Sequence, residues 1–520
     1  MDNRRLAATF DKIADLLSGR RAAPHRIRSY RNLARTLREA PDDVSKLLAQ
    51  GADPTVLPGV GETLGAQIRE LATTGTLALL QELAGDDLEA VEAQIAGSGQ
   101  DVEHVLLSVA LRLQGRLLQH LEGAEGLTRI EPAGDARRYR ETVRSLIFVA
   151  VSSRPSAILD RLADYPGVLV AARTRTLMRA SLREGLTVEL RLVEASDFGV
   201  ALVQYTGSTA HAAGLMERIG SLAGAESDAP GDASETSVYR RLGLPSIAPE
   251  LREGRGEIEA AENGTLPRLL EPGDIRGDLQ MHSTWSDGRN TIEEMVAACE
   301  ALGYEYMAIT DHSRSLTVAG GLDERRLRLQ AGEIERVRQR HPGIRILHGA
   351  EVEILPDGAL DFPDEVLAGL DLVVAAVHSR FDLPAAVQTQ RILRALENPQ
   401  VDVLAHPTGR KIDRRRPMRM DLDEVLACAA ENHVAVELNA LPRRLDLKDT
   451  QVRRACQLGA MVVIDTDAHS VDDLANMALG VAQARRGWLG ANDLLNALPL
   501  GDLLQRLGLE PTDTTRGGGG

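Results

Sequence analysis

The sequence predicts a multidomain chain: an all-α N-terminal unit, an α+β unit, and a C-terminal barrel of seven alternating strands and helices. Apolar residues recur at helical spacing up to about Leu83, and strand-like runs mix with helices over 84–245. Over 276–510, seven short apolar runs end in polar clusters, each followed by a helix-like segment. At about 150 residues per domain, 520 residues make three or four domains with ample core, which excludes a small stapled scaffold.

The first unit, residues 1–83, takes its helices from Leu6, Phe10, Ile13, Ala14 and Leu17, a pattern continued by Leu33, Leu37, Leu47 and Leu48. Residues 1–40 carry ten Lys/Arg, among them Arg26 and Arg28, against four acids, a local charge of +6. His25 belongs with this arm. The second unit, 84–245, contains SLIFVAVSS (145–153), GVLVAA (167–172) and LTVELRLVEA (186–195), which read as strands. It also has two loose stretches, GSGQD (97–101) and AGAESDAPGDASET (223–236). Residues 246–275 read as a linker with a short helix, and the tail 511–520 reads as disordered.

The whole-chain charge of −16 argues against a nucleic-acid coat or a membrane-surface binder, though local charge can say otherwise. With 43% hydrophobic and 26% charged residues the chain is expected to fold. The three cysteines, Cys299, Cys428 and Cys456, form no CxxC. They fit a reducing cytoplasm and exclude a thiolate zinc cluster, so any metal must sit on nitrogen and oxygen. No signal peptide and no apolar run approaching 18 residues is seen, so the expected location is the cytoplasm, with no membrane partner.

The seven runs of the third unit are RGDLQMH (276–282), YMAITDH (306–312), IRILHGAEVEI (344–354), LDLVVAAVH (370–378), VDVLAH (401–406), VAVELNA (434–440) and MVVIDTDAH (461–469). Buried parallel strands read as near-continuous apolar runs, and in such barrels the chemistry sits at the C-terminal strand ends. Five of the twelve histidines stand there: His282, His312, His378, His406 and His469. One such histidine is usually a packed core residue, but five at equivalent places of one periodic pattern reverse those odds. Asp287, Asp311, Glu351 and Asp467 lie at the same level. Strand alternation puts Gln280 with His282, and Asp467 with His469, on one face. So large a His/carboxylate set exceeds the four ligands of a structural zinc and suits two or three divalent cations such as Mn²⁺ or Zn²⁺. Multi-metal sites activate water and stabilise displacement at phosphorus, so phosphoester hydrolysis is the expected chemistry. Arg380, two residues past His378, ranks first as a phosphate-binding cation, ahead of Arg410 and Lys411. His341, His348 and His433 have no equivalent placement and are read as surface or supporting residues.

The strings GDLQMHSTWSDG, TDHS, HGAEVEILPDG, AVHSRFDLP, ENPQVDVLAHPTGR and VIDTDAH occur in that order, and together they resemble the PHP (polymerase and histidinol phosphatase) domain of bacterial family X DNA polymerases. The likeness covers about residues 274–510. It implies a distorted seven-stranded barrel with a three-metal site and a manganese-dependent 3′–5′ exonuclease. The ligands it implies are His282, Asp287, His312, Glu351, His378, His406, Asp467 and His469. Gln280 stands where the first His of an HxH pair is usual, so an altered first metal position is expected there. Catalytic roles fall on His378, Glu351, Asp467 and Arg380. Upstream, LPGVGETLGAQIREL (57–71) resembles a helix-hairpin-helix, in which Gly59 and Gly61 let backbone N–H groups approach a DNA phosphate. Thr63 and Gln67 stand where the lysines of the family's lyase activity are expected.

The stretch AGDARRYRETVRSLIF (133–148) aligns with the polymerase-beta-like nucleotidyltransferase core, but Ser145 and Ile147 occupy its two metal-binding Asp positions and Glu189 the third. Neither Ser nor Ile replaces a carboxylate on Mg²⁺, so the resemblance implies a degenerate polymerase module. The reading is therefore a DNA-repair-type exonuclease or 3′-end phosphodiesterase acting on 3′ ends and on gapped or nicked duplex. Its alternatives are an active family X polymerase with exonuclease, a histidinol-phosphatase-like small-molecule phosphatase, and a non-catalytic DNA-binding scaffold. Oligomeric state is left open, with a monomer as the default.

Overall fold

The computed structural model describes residues 3–19, 23–40, 44–49, 51–57, 59–84, 104–221 and 233–510. The GSGQD segment, most of the 223–236 stretch, Pro58 and the tail lie outside the described residues. The chain divides into two compact units at residues 103 and 104.

The first unit is all helical: α1 (Asn3–Gly19), α2 (Pro24–Glu39), α3 (Val44–Ala49), α4 (Glu62–Thr74) and α5 (Ala78–Ala84). Leu6, Phe10 and Ile13 of α1, Leu33 and Leu37 of α2 and Ile68 and Leu71 of α4 form one buried core, which accounts for the helical spacing of the apolar residues. Gly59 takes φ 76° and Gly61 caps α4, so the turn entering this helix uses the left-handed backbone that glycine permits. Arg26 and Arg28 are exposed on α2.

The second unit begins with β1 (Val105–Leu106), β2 (Leu127–Ala133), β3 (Thr142–Val143), β4 (Ser145–Ser152), β5 (Val168–Arg173), β6 (Leu177–Leu182) and β7 (Thr187–Leu192). Five of these form a sheet in the order β2-β4-β7-β6-β5, in which only β4 and β7 run parallel. Its core face alternates along the strands, as in buried Met178, Ala180 and Leu182 of β6 and Val188, Leu190 and Leu192 of β7, and packs on the helix Leu107–Leu121. The 246–275 stretch is packed rather than loose. Ile247, Leu251 and Ile258 join a core with Tyr239, and Glu250, Arg252 and Glu257 are buried.

The barrel strands are β8 (Gly277–Asp278), β9 (Tyr306–Ile309), β10 (Arg345–Glu353), β11 (Leu372–Ala376), β12 (Val403–Leu404), β13 (Ala435–Asn439) and β14 (Val462–Asp465). All seven pair in parallel in sequence order. A parallel bridge from Met281 to Ala468 brings the two edges together, so the barrel is nearly closed. One face of the strands (Tyr306, Ala308, Leu347, Leu372, Val374, Ala376, Val403, Ala405, Ala435, Val463) packs with Leu495, Leu503 and Leu504 from the C-terminal segment. The other face (Val373, Ala375, Leu404, Val436, Leu438, Val462, Ile464) packs among the helices. Both faces are covered, which is why these strands read as continuous apolar runs. No helix among the described residues is long and apolar enough to cross a membrane.

Candidate metal centre

The strand face that forms the barrel floor also builds the site. Continuing its alternation, Ala308 leads to His312, Leu347 to Glu351 and Glu353, Ala376 to His378, Ala435 to Glu437 and Asn439, and Val463 to Asp465 and Asp467. His406 and Asp467 take left-handed φ values of 28° and 50° at their strand exits, and Arg380 takes 56° just past His378.

Glu351 is the hub. Its Oε1 lies 2.9 Å from His406 Nε2 and 3.2 Å from His378 Nε2. Its Oε2 lies 2.9 Å from His312 Nδ1 and 3.5 Å from His282 Nε2. His282 Nε2 also lies 3.1 Å from Asp467 Oδ1, while Asp287 Oδ1 is 3.5 Å from both His312 and His469. The rings are contiguous: His282 stacks on His312 at 4.3 Å and lies 4.4 Å from His469, and His378 is edge-on to both His312 and His406 at 5.2 Å.

These atoms sort into three overlapping donor groups: His282, Asp287, His312 and His469; His312, Glu351 and His378; and His282, Glu351 and Asp467. Sharing of His282, His312 and Glu351 is what a multi-ion centre requires. A direct test of fit comes from hydrogen bonding. His312 Nδ1, His378 Nε2 and Glu351 Oε2 are buried and close to one another yet make no hydrogen bond, and both amide atoms of buried Gln280 are also unpartnered. Buried polar atoms left so in a cluster of N and O donors fit divalent cations.

The titration directions follow the same crowding. Burial pushes the Glu351 carboxyl up, but the charges of His312 and His378 outweigh it and hold it well below the usual carboxylate range. Burial also opposes protonation of His378, yet Glu351 and Glu353 raise its imidazole to about 9. Burial pushes His406 down to about 3, leaving it a neutral imidazole.

Asp311 turns away from the donors. It accepts from the Ser283 amide at 2.8 Å and hydroxyl at 2.6 Å and from Gln330 at 2.6 Å, so it braces the loop that carries Asp287. Arg380 is exposed. Arg410 is buried and tied to Glu141 at 2.7 Å, so it is not free for phosphate. His348 is buried against Gln330, His341 pairs with Glu300 at 2.6 Å, and neither approaches the centre.

Several supporting residues escaped the sequence reading. Glu353 accepts from both Nδ1 and the backbone N–H of His378 at 2.9 Å, which leaves Nε2 facing Glu351. Asn439 donates to Asp467 Oδ2 at 3.0 Å, and Arg444 stands 3.4 Å from the same oxygen. Glu437 accepts from the His406 amide. Burial and the neighbouring Asp465 and Asp467 push the Glu437 carboxyl well up, and burial lifts Asp278 to about 7. The signal was the two-residue alternation itself, which continues from Glu351 to Glu353 and links Asp465 to Asp467.

The polymerase-like positions are differently occupied. Register places Ile147 opposite Glu189, and Ile147 packs over Gly134. Glu189 is paired with Arg179 at 3.1 Å and Arg191 at 2.5 Å.

Residues 1–77 match the helix-hairpin-helix domain family and residues 278–440 the PHP domain family. The chain is 37% identical over 489 residues to the DNA polymerase/3′-5′ exonuclease PolX of Bacillus subtilis, covering 89% of this chain and 85% of that one. A probable phosphatase of Acetivibrio thermocellus is 30% identical over 188 residues, 35% of this chain and 73% of that protein. The crystal structure of a histidinol phosphate phosphatase from Lactococcus lactis, complexed with zinc, L-histidinol and phosphate, covers 42% of this chain and 95% of its own at 19% identity, with a TM-score of 0.33.

Proposed function

The chain belongs to the PolX family, with a helix-hairpin-helix domain and a metal-dependent PHP phosphoesterase domain, and from that membership we propose that its barrel is a 3′–5′ exonuclease on DNA whose polymerase site is inactive. One observation carries the reading: a single buried carboxylate, Glu351, is surrounded at 3.5 Å or less by four imidazoles from four different strand ends. Two or three ions, Mn²⁺ or Zn²⁺, would be held by Gln280, His282, Asp287, His312, Glu351, His378, His406, Asp467 and His469. When bound they supply Lewis acidity and an activated water near neutral pH.

The chain's own residues do the rest. Glu353 fixes the proton of His378 on Nδ1, and Asn439 and Arg444 hold Asp467 in place. Arg380, at the exposed rim, meets the phosphate. Water adds at the terminal phosphorus and the bond to the preceding 3′ oxygen breaks. That oxygen takes up a proton, and a nucleoside 5′-monophosphate is released. Arg26, Arg28 and the Gly59–Gly61 turn contact the DNA backbone. The cytoplasm is the location proposed.

Loss of polymerization is supported by Ser145, Ile147 and the doubly paired Glu189. The phosphatase likeness over the barrel favours one second reading, a small-molecule phosphomonoesterase. The test incubates end-labelled primer–template with Mn²⁺, with and without dNTPs, using wild type, His378→Ala and Asp467→Ala. Degradation from the 3′ end by wild type only, without primer extension, is the expected result. Extension refutes the inactive-polymerase reading. Hydrolysis of p-nitrophenyl phosphate with intact DNA selects the phosphomonoesterase.

A further inference from the structure

The segment after His406 is strongly basic: between Gly409 and Met420 stand Arg410, Lys411, Arg414, Arg415, Arg416 and Arg419, with one acid, Asp413. Its shape is fixed. Lys411 and Arg415 close a tight turn, the Lys411 amide donating to the Arg415 carbonyl at 2.9 Å, and the Ile412 amide donates to the Arg443 carbonyl at 2.7 Å. Arg410 Nε donates to the Arg444 carbonyl at 3.0 Å, and Arg444 reaches Asp467. The segment therefore lies beside the metal centre. Arg410 is held by Glu141, and Asp413 is taken by His104 at 2.8 Å, so the polymerase-like unit anchors it.

Of the other cations, Arg416, Arg419 and the neighbouring Arg443 face solvent. Arg415 lies over the Phe381 ring at 3.7 Å and donates to the Gly409 carbonyl at 2.6 Å. The side chains of Arg416, Arg419 and Arg443 make no hydrogen bond or ion pair with a described residue. Half-buried Lys411 sits among Arg444, Arg415 and Arg414, and burial with this crowding lowers its ammonium to about 8. Asp467 and Asp446 offset Lys411 and Arg415 only in part, and like charges so gathered favour an added anion. Their chain, next to a phosphodiesterase centre, spans more than one phosphate.

We propose that residues 409–420 with Arg443 form a binding surface for the phosphodiester backbone of a nucleic-acid strand, gripping the phosphates that precede the one at the metal centre. This deepens the exonuclease reading and rests on it for the strand's direction. The polymerase-like unit then serves the barrel by holding this surface in shape.

The test compares full-length wild type with Arg416→Ala/Arg419→Ala/Arg443→Ala. Binding of a labelled single-stranded oligodeoxynucleotide is followed by anisotropy in EDTA across a range of NaCl concentrations. Loss of three phosphate contacts at about 0.7 each makes the slope of log K against log salt shallower by about 2. In Mn²⁺, KM for the oligonucleotide should rise about tenfold with kcat within about twofold, while hydrolysis of bis(p-nitrophenyl) phosphate stays at the wild-type rate. An unchanged salt slope overturns the proposal. So does displacement of the oligonucleotide by polyglutamate as readily as by unlabelled DNA. Wild type that cleaves bis(p-nitrophenyl) phosphate but no oligonucleotide defeats the exonuclease reading alone, because the salt slope still decides the surface.

Discussion

Glu353→Gln isolates the support of a metal ligand from the ligand itself. The Glu353 carboxylate accepts from His378 Nδ1 and the His378 amide on Oε2, both at 2.9 Å, and from the Ser379 hydroxyl at 2.7 Å and Arg391 at 3.4 Å on Oε1. Glutamine keeps one acceptor. Turned toward His378, it sets an amide N–H₂ against Arg391, whose fully buried guanidinium loses its carboxylate. Turned the other way, it faces His378 with a donor and frees the tautomer. A hydrogen bond to a charged group contributes about 1.5–3 kcal/mol, so stability should fall by about 2–3 kcal/mol. Metal affinity should fall about 10- to 100-fold, the usual cost of removing such support. Calorimetric titration of Mn²⁺ into apo-protein reads the affinity, and a urea midpoint confirms that the variant is folded. In a His378→Ala background the same change should cost little affinity, because the group it positions is gone. Wild-type affinity in Glu353→Gln, or full additivity with His378→Ala, refutes the reasoning.

The centre gathers Glu351, Asp467, Glu437, Asp465 and Asp278 in a buried layer, so divalent ions should stabilise the fold. At 100 times Kd the gain is about 2.7 kcal/mol, read as a rise in Tm of about 5 °C with Mn²⁺ over EDTA that is absent in His378→Ala/Asp467→Ala. Acid should weaken the second unit. Burial pushes Glu253 and Asp449 up, but Arg486 with Arg138 and Arg255 outweighs it and holds both carboxyls below their ordinary values. Their contribution is thus complete above about pH 4.5 and is lost as pH falls through the depressed folded values. Arg486→Met should cost about 3 kcal/mol at pH 7, and the difference from wild type in urea midpoint should shrink toward pH 3. For the helical arm, Arg26→Ala/Arg28→Ala should make the salt dependence of duplex binding shallower by about 2, and an unchanged slope would remove these residues from the interface.

The barrel was legible because its strands are buried on both faces, so each appears as an apolar run with a chemical residue at its end. His282, His312, His378, His406 and His469 were found by place in that pattern rather than by type. Glu353, Glu437 and Asn439 were not, because an acid or amide inside a strand looks the same whether it holds a ligand or faces water. Arg410 was misread for a related reason. Its position after His406 suggested a phosphate contact, whereas its partner, Glu141, lies 269 residues earlier in the chain and only tertiary packing brings the two together. The same limit hid the packing of 246–275, whose Glu250, Arg252 and Glu257 look like linker charges until Arg485, Glu235 and His211 are placed against them.

Net charge was the least informative number in the sequence. A charge of −16 spread evenly would repel DNA, but the charge is unevenly distributed along the chain. Some of the acids lie in the metal centre, and in the buried layer beneath it burial drives Asp278, Asp465 and Glu437 toward their neutral forms. The exposed arginines of 409–420, and separately those of the N-terminal arm, make locally basic surfaces. A polyanion approaching along those surfaces meets positive potential at the distances over which screening leaves any interaction, about 8–10 Å in physiological salt. An acidic protein can in this way be a DNA-processing one, because its net charge is an average that its locally basic surfaces do not share.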